Sequence, residues 1–252
     1  MNVIGKGRKI IMKKHYKAIL FDMDGTLLPM DMKKFTEGYF MDLYKSIKMT
    51  EIPPKEFADA VWQGTYAMMK NDGSATNREV FWNYFGQKFG YSQEQVDEID
   101  KKCLSFYNNE FKEAKRFCME NPLAKKAVEI AREKAEIVIL ATNAIFPMAG
   151  HITRMSWVGL SKDDFDYVTA YEDERFCKPN PKYFEAIMEK NNLNPQECLM
   201  IGNDEREDML CASMAGIDAY LVEDTMIPYA EKPWEGAKGS FADMIEFLKS
   251  LE

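Results

Sequence analysis

Two kinds of hydrophobic patterning divide the chain. Ala18-Ile19-Leu20-Phe21 is a short apolar run without alternation, and Ile137-Val138-Ile139-Leu140, Cys198-Leu199-Met200-Ile201 and Ala219 to Val222 repeat it. Runs that are apolar on both faces suit central strands of a parallel sheet covered by helices on either side. A further strand is expected from Tyr167 to Tyr171. Amphipathic stretches separate these runs. Asn121-Pro122 opens one as N-cap and first-turn proline, a second runs through Tyr183 to Lys190, a third ends at Gly216, and Ser240 caps the last, Phe241 to Leu251. Alternating strand and helix implies parallel strands joined by right-handed crossovers.

From Asp31 to about Met119 the strand-like runs stop and only helical spacing remains. Phe35, Tyr39, Leu43 and Ile47 form one stripe behind an Asp31 cap, and Phe57, Val61 and Met68 form another after Pro53-Pro54, ending near Asn71-Asp72-Gly73-Ser74. Thr76-Asn77-Arg78-Glu79 is a capping box opening a third helix with Phe81, Trp82, Phe85 and Phe89; Ser92-Gln93-Glu94-Gln95 opens a fourth. Because the aromatic spacing follows the helical period, these stripes read as the core of a helical bundle rather than a cofactor box. The block is expected to be an all-helical domain with its own aromatic core, inserted after the first strand.

Composition narrows the function classes. With 252 residues, 46% hydrophobic and 13% aromatic, the chain is that of a globular protein. A net charge of -8, with no basic stripe beyond Lys6, Arg8, Lys9, Lys13 and Lys14, argues against a nucleic-acid partner. The apolar stretch of that tail, Ile10-Ile11-Met12, is too short for a signal h-region, and nothing approaches a membrane span, so a cytoplasmic location and no membrane partner are expected. Met12 is an alternative native start. Cys103, Cys118, Cys177, Cys198 and Cys211 are odd in number without CxxC spacing, as expected for reduced thiols. With His15 and His151 the only histidines, His-rich metal sites are excluded and Ser-His-Asp catalysis is disfavoured.

Acidic and polar residues gather where the apolar runs stop. Asp22-Met23-Asp24-Gly25-Thr26 follows the first run directly, and in open parallel sheets ligands bind at the carboxyl ends of the strands. Two residues apart on extended backbone, Asp22 and Asp24 point the same way, so one can act as nucleophile while the other manages protons. Gly25 permits a sharp exit turn. Such residues are also ordinary turn formers, but two acids at a buried strand end repel unless a cation or proton is supplied. An EF-hand loop fails, since its glycine would fall on Leu27 and its final glutamate on Lys33. The second run leads to Thr142-Asn143, which can donate to a phosphoryl oxygen before a helix N-terminus or serve as an ordinary N-cap pair. Lys178-Pro179-Asn180-Pro181 lies beyond the third strand, with prolines stiffening the approach of a lysine that is otherwise solvated in such loops. The fourth run ends in Gly202-Asn203-Asp204, with Asp208 one helical turn on; acids there also favour a helix dipole. Adding these carboxylates to Asp22 and Asp24 makes a hard, oxygen-liganded cation the economical explanation.

In this order, Asp22-x-Asp24-Gly25-Thr26, Thr142-Asn143, Lys178-Pro179 and Gly202-Asn203-Asp204-x-x-x-Asp208, the chain resembles the haloacid dehalogenase superfamily of hydrolases. The resemblance covers nearly all of the chain outside the helical block. It implies an α/β fold, a Rossmann-like parallel sheet core (1–30 and 120–252) with an inserted all-helical cap of the family's first type (31–119). It further implies that Asp22 attacks phosphorus to form an aspartyl phosphate, that Asp24 protonates the leaving oxygen and then activates water, and that Thr142 and Lys178 hold and neutralise the transferring group. Gly25, Thr26 and Asn143 would lie against the substrate. Mg²⁺ would sit on Asp22, the Asp24 main-chain carbonyl and Asp204, with Asp208 behind it. Many relatives have Gly-Asp at the fourth motif, so Asn203 and Asp204 compete for the ligand position; Asp204 is favoured as the carboxylate. The loop from Tyr171 to Cys177 lacks the glycine often found before the third-motif lysine. The expected function is a Mg²⁺-dependent phosphatase acting on a small phosphorylated metabolite. Dehalogenase, phosphomutase or phosphonatase chemistry and a non-catalytic phosphate-binding role are the alternatives. Dehalogenases proper work without a metal and lack the second acid, so Asp24 and Asp204 argue against that reaction.

Overall fold

A computed structural model describes residues 14–252; the basic residues Lys6, Arg8, Lys9 and Lys13 and the alternative start at Met12 lie outside the described residues. Among the described residues six strands, β1 (Ala18–Phe21), β2 (Ile137–Leu140), β3 (Tyr167–Val168), β4 (Cys198–Gly202), β5 (Asp218–Val222) and β6 (Ala237–Gly239), form one sheet in the order β3-β2-β1-β4-β5-β6. All neighbours are parallel. The order reverses beside β1, and a ligand crevice opens at such a switch point. The architecture is α/β with a Rossmann-like core.

Both faces of the sheet are buried, which is why its strands are apolar runs. Ile19, Phe21, Val138, Leu140, Leu199 and Ile201 point to one face, where α5 (Ala124–Lys134) and α9 (Phe241–Ser250) pack through Ala127, Val128, Ala131, Met244 and Leu248. Ala18, Leu20, Ile139, Cys198, Met200 and Leu221 point to the other, against α7 (Lys182–Lys190) and α8 (Cys211–Met214) through Tyr183, Phe184, Ile187 and Ala212.

The stretch after β1 is helical throughout, with α1 (Met32–Ile47), α2 (Pro54–Met69), α3 (Asn77–Phe89), α4 (Gln93–Asn108) and a 3₁₀ segment at Glu110–Phe117. Its caps are those the sequence indicates: the Asp31 carboxylate accepts from Lys33 N and Lys34 N, and both capping boxes, Thr76 with Glu79 and Ser92 with Gln95, are formed. Two adjacent segments connect it to the sheet, since Met30 bridges Cys118 antiparallel and Met119 N donates to Pro29 O at 2.8 Å. The buried Asn77 side chain ties the start of α3 to the sheet side by donating to Ala144 O at 3.0 Å, while its N–H donates to Glu174 O.

Four sequence expectations are corrected. The aromatic core is not confined to the helical block: Phe111 packs on Trp157 at a centroid distance of 5.4 Å and Tyr39 on Phe146 at 5.5 Å, so it continues through α6 (Met148–Trp157) to the sheet. Strand β3 ends at Val168 rather than Tyr171, because the Thr169 hydroxyl turns back onto the Thr142 carbonyl at 2.7 Å. Helix α5 begins at Ala124, since Asn121 makes a local turn to Leu123 N and donates to Leu27 O instead of capping a helix. Helix α6 begins at Met148, so Thr142-Asn143 stands before an intervening turn and not at a helix start. In addition, β6 escaped the sequence pattern, being three residues long and at the sheet edge.

Phe111→Ala tests the shared core. It would empty a site contacted by Phe35, Tyr39, Phe106, Tyr107, Phe146 and Trp157, at an expected cost of about 3–5 kcal/mol. Urea unfolding followed by fluorescence and far-UV dichroism should show one earlier transition for the whole chain. A separate early transition of the helical block, with the sheet unaffected, would contradict the shared core.

Candidate active site

The exit of β1 sets two carboxylates on one cavity. Asp22 N donates to Ile201 O at 2.9 Å, extending the ladder one residue past Phe21, and Met23 is buried between the two acids. Asp22 and Asp24 both line a cavity of about 330 Å³ beneath the helical block. Gly25 then turns the chain at φ +89, and a Cβ there would lie 2.3 Å from Asn203 Nδ2, so both conformation and clearance require glycine. The Thr26 hydroxyl reaches Asp22 Oδ2 and Asn203 Oδ1, each at 3.1 Å.

A buried lysine joins this exit to that of β4. Lys178 Nζ donates to Asp22 Oδ1 at 2.8 Å and to Asp208 Oδ1 at 2.6 Å. Burial alone would lower the lysine's pKa, but Asp208 and Asp22 raise it well above the ordinary value. Asp208 Oδ2 accepts from the N–H groups of Asn203 and Asp204, each at 3.0 Å. Burial pushes the Asp208 carboxyl up and Lys178 pulls it back; with three donors on the carboxylate, the pair stands as ammonium and carboxylate. Gly202 makes room for this, since a Cβ there would lie 2.2 Å from Asp208 Oδ2.

Around this pair the remaining motif residues are fastened. The Thr142 carbonyl accepts from Tyr183 OH at 2.6 Å and Thr169 Oγ1 at 2.7 Å, which fixes the backbone while the residue lines the cavity. The Asn143 amide is committed to the loops rather than free to donate: Nδ2 reaches Lys178 O at 3.3 Å and Glu207 Oε2 at 3.0 Å, and Oδ1 accepts from Lys178 N at 3.2 Å. Asp204 Oδ1 accepts from Arg206 N and Glu207 N, capping a π-helical segment at Glu205–Leu210. Burial pushes the Glu207 carboxyl up to about 7.

Arg154, His151 and Glu207 did not stand out in the sequence. Arg154, fully buried on α6, donates from Nη1 to Asp24 Oδ2 and from Nη2 to His151 Nδ1 at 2.7 Å, with its guanidinium 4.1 Å from the Phe146 ring centroid. Asp24 Oδ1 is left without a hydrogen-bond partner. Burial raises the Asp24 pKa; Arg154 opposes that rise and Asp22 adds to it. An arginine and a histidine three residues apart in an otherwise amphipathic stretch were the only signal available.

Five carboxylates, Asp22, Asp24, Asp204, Glu207 and Asp208, line the cavity against one lining cation, Lys178, with Arg154 behind Asp24. No three Asp, Glu, His or Cys side chains among the described residues form a metal cluster by themselves. Mg²⁺ does not need one, because it is commonly held by one or two carboxylates and keeps several waters. An all-oxygen donor set with excess negative charge fits that ion.

The haloacid dehalogenase-like hydrolase family matches residues 16–216, a span containing all four of these strand-end motifs. The chain belongs to that family. Its members are hydrolases, and this one is an enzyme of that kind. A glyceraldehyde 3-phosphate phosphatase of Methanothermobacter thermautotrophicus is 36% identical over 88 residues, 35% of this chain and 38% of that protein. The chain thus matches well under half the length of this relative. A 2-haloacid dehalogenase of Pseudomonas syringae shares the fold at a TM-score of 0.63 and 16% identity, covering 92% of this chain and 98% of its own. A magnesium-bound hydrolase of the family from Bacillus subtilis does so at 0.55 and 19% identity, covering 93% and 99%. No helix among the described residues of this hydrolase is long and apolar enough to cross a membrane.

Burial, and then Arg154, hold the His151 pKa well below its ordinary value, so the folded hydrolase keeps this imidazole neutral. The unfolded chain protonates it near pH 6.5. The stability His151 contributes is therefore present above about pH 6.5 and lost progressively as pH falls below it. The stability gap between the parent and His151→Gln, measured by urea unfolding, should narrow from pH 7 to pH 5. A constant gap would contradict a neutral buried imidazole.

Proposed function

We propose that the protein is a Mg²⁺-dependent phosphatase that hydrolyses a small phosphorylated metabolite through an aspartyl phosphate on Asp22. The observation carrying this reading is the pairing of two unlike carboxylates on one cavity: Asp22 held by Lys178 and Thr26, and Asp24 held by Arg154 with one oxygen unpartnered. Asp22, Asp204 and the Asp24 main-chain carbonyl would hold Mg²⁺, with Asp208 placing Asp204 through its backbone N–H. When bound, the ion supplies positive charge that lets a phosphate dianion enter a carboxylate-lined cavity and withdraws charge from its oxygens.

The residues divide the work accordingly. An Asp22 carboxylate oxygen attacks phosphorus, the P–O bond to the alcohol breaks, and Asp24 gives its proton to the departing oxygen. Asp24, now a carboxylate, takes a proton from the water that attacks the phosphorus of the aspartyl phosphate, restoring Asp22 and releasing phosphate. Lys178 and the Thr142 hydroxyl steady the phosphoryl oxygens, since positioning and electrostatics supply most catalysis of this type. The block at 31–119 acts as the cap, with a cytoplasmic setting in keeping with the reduced thiols. The phosphatase relative supports phosphate-ester hydrolysis, and the second acid weighs against dehalogenation.

Two tests bear on this. Excess chelator should abolish hydrolysis of an aryl phosphate and added Mg²⁺ should restore it; full activity in chelator would sink the metal assignment. The second separates the acids. Asp24→Asn should slow turnover on the order of 10²–10⁴-fold, yet with an activated aryl phosphate a phosphorylated protein should accumulate, visible by intact mass spectrometry after acid quench. Asp22→Asn should form no such adduct, and an adduct on that variant would refute the assigned nucleophile.

A further inference from the structure

The cavity has two unlike halves. Its charged residues all come from the sheet side, whereas the helical block contributes Met32, Phe35, Tyr39, Phe40, Trp62 and Met69 with Thr36 and Thr65. The block is rich in charge, carrying among others Lys33, Glu37, Asp59 and Lys70, yet none of its charged side chains lines the cavity. Even the threonine hydroxyls of this roof are engaged. Thr36 Oγ1 donates to Met32 O at 2.8 Å and Thr65 Oγ1 to Val61 O at 2.9 Å, each within its own helix. Neither nearby cation is free to serve a second anionic group, because Lys178 is held by Asp22 and Asp208 and Arg154 lies buried against Asp24.

At the mouth, large apolar side chains face solvent. Trp62 is 52% exposed and Met32 40% exposed while lining the same cavity, and Trp62 stands edge-on to Phe40 at 5.6 Å. An exposed tryptophan continuous with a largely apolar roof offers a planar contact surface to an entering ligand. A carboxylate or second phosphate brought under this roof would lose water without gaining a cationic partner, which is costly. An apolar or aromatic group gains by the same transfer.

Resting on the phosphatase reading, we propose that the substrate is the phosphate monoester of an uncharged, largely apolar or aromatic alcohol, with the phosphate on the polar floor and the organic group under the Phe35–Trp62 roof. Sugar acids, bisphosphates and phosphorylated carboxylic acids are poor substrates for the same reason.

The test compares three alkyl phosphates on the full chain with Mg²⁺, namely benzyl phosphate, glycerol phosphate and phosphoglycolate, with p-nitrophenyl phosphate as the activated reference. Benzyl phosphate should exceed phosphoglycolate by at least about tenfold in kcat/KM, equivalent to about 1.4 kcal/mol. Thr65→Lys, which puts a cation on the roof, should narrow or reverse that ratio. Trp62→Ala, at a half-exposed position that folding tolerates, should lower kcat/KM for benzyl phosphate several-fold more than for glycerol phosphate. Hydrolysis of p-nitrophenyl phosphate with phosphoglycolate equal to or better than benzyl phosphate overturns the inference and leaves the phosphatase reading standing. An equal loss on both substrates in Trp62→Ala also overturns it. No hydrolysis of any of the four overturns both.

Discussion

One buried ammonium organises the site. Lys178 lies between Asp22, from the exit of β1, and Asp208, from the exit of β4, and these strands are neighbours at the point where the sheet order reverses. Without that cation two carboxylates would meet in a space closed to water, a costly arrangement that protonation or distortion would have to relieve. With it, each acid has a fixed direction. Asp208 uses its second oxygen to hold the N–H groups of Asn203 and Asp204, so the lysine's position is transmitted to the residue proposed to meet the metal. The glycines at 25 and 202 follow from the same closeness, because at each a Cβ would intrude on a neighbouring side chain of the site.

The helical block depends on the sheet as much as it covers it. Phe111 and Tyr39 complete an aromatic cluster with Phe146 and Trp157, and Phe146 also carries the guanidinium of Arg154. Packing between the two parts therefore reaches Asp24 through one ring and one guanidinium. Asn77 makes a second tie, reaching Ala144 O two residues beyond Thr142 and Phe176 O two residues before Lys178. That contact holds a loop lacking the glycine expected before the lysine, whose path is instead fixed by a side chain from the helical block.

What the sequence made legible follows from how locally each feature is encoded. Strands buried on both faces must be apolar throughout, so β1, β2, β4 and β5 stand out as runs, and acids at their ends are conspicuous by contrast. Capping boxes are encoded within four residues and were found at Thr76 and Ser92. These local signals, taken in order with the family resemblance, named Asp22, Asp24, Thr142, Asn143, Lys178, Asp204 and Asp208, and the fold brings them all around one cavity. Arg154 could not be named because its partner Asp24 is 130 residues away; only the fold turns that face of α6 toward the site. Nor could the commitment of the Asn143 amide be foreseen, since it depends on Lys178 arriving from a loop and Glu207 from the π-helical segment after β4. The missing strand β6 is a matter of length, three edge residues being too few to show any period.

Separation of charge within the cavity links the proposed selectivity of the site to its proposed chemistry. Charged groups confined to the floor meet a roof without charge, so in the proposed reaction each electrostatic interaction at the phosphoryl group would be strengthened by the low polarity above it. Opposing influences meet at Asp24: burial favours its protonated form, which the proposed mechanism uses to release an alcohol, while Arg154 favours the carboxylate, which it uses to activate water. A group that must be acid in one half-reaction and base in the next works best when neither form is strongly preferred. Burial sets the net upward direction of the Asp24 pKa, and the Arg154 guanidinium at one of its oxygens limits that rise, so in the proposed mechanism the two act on opposite halves of the reaction.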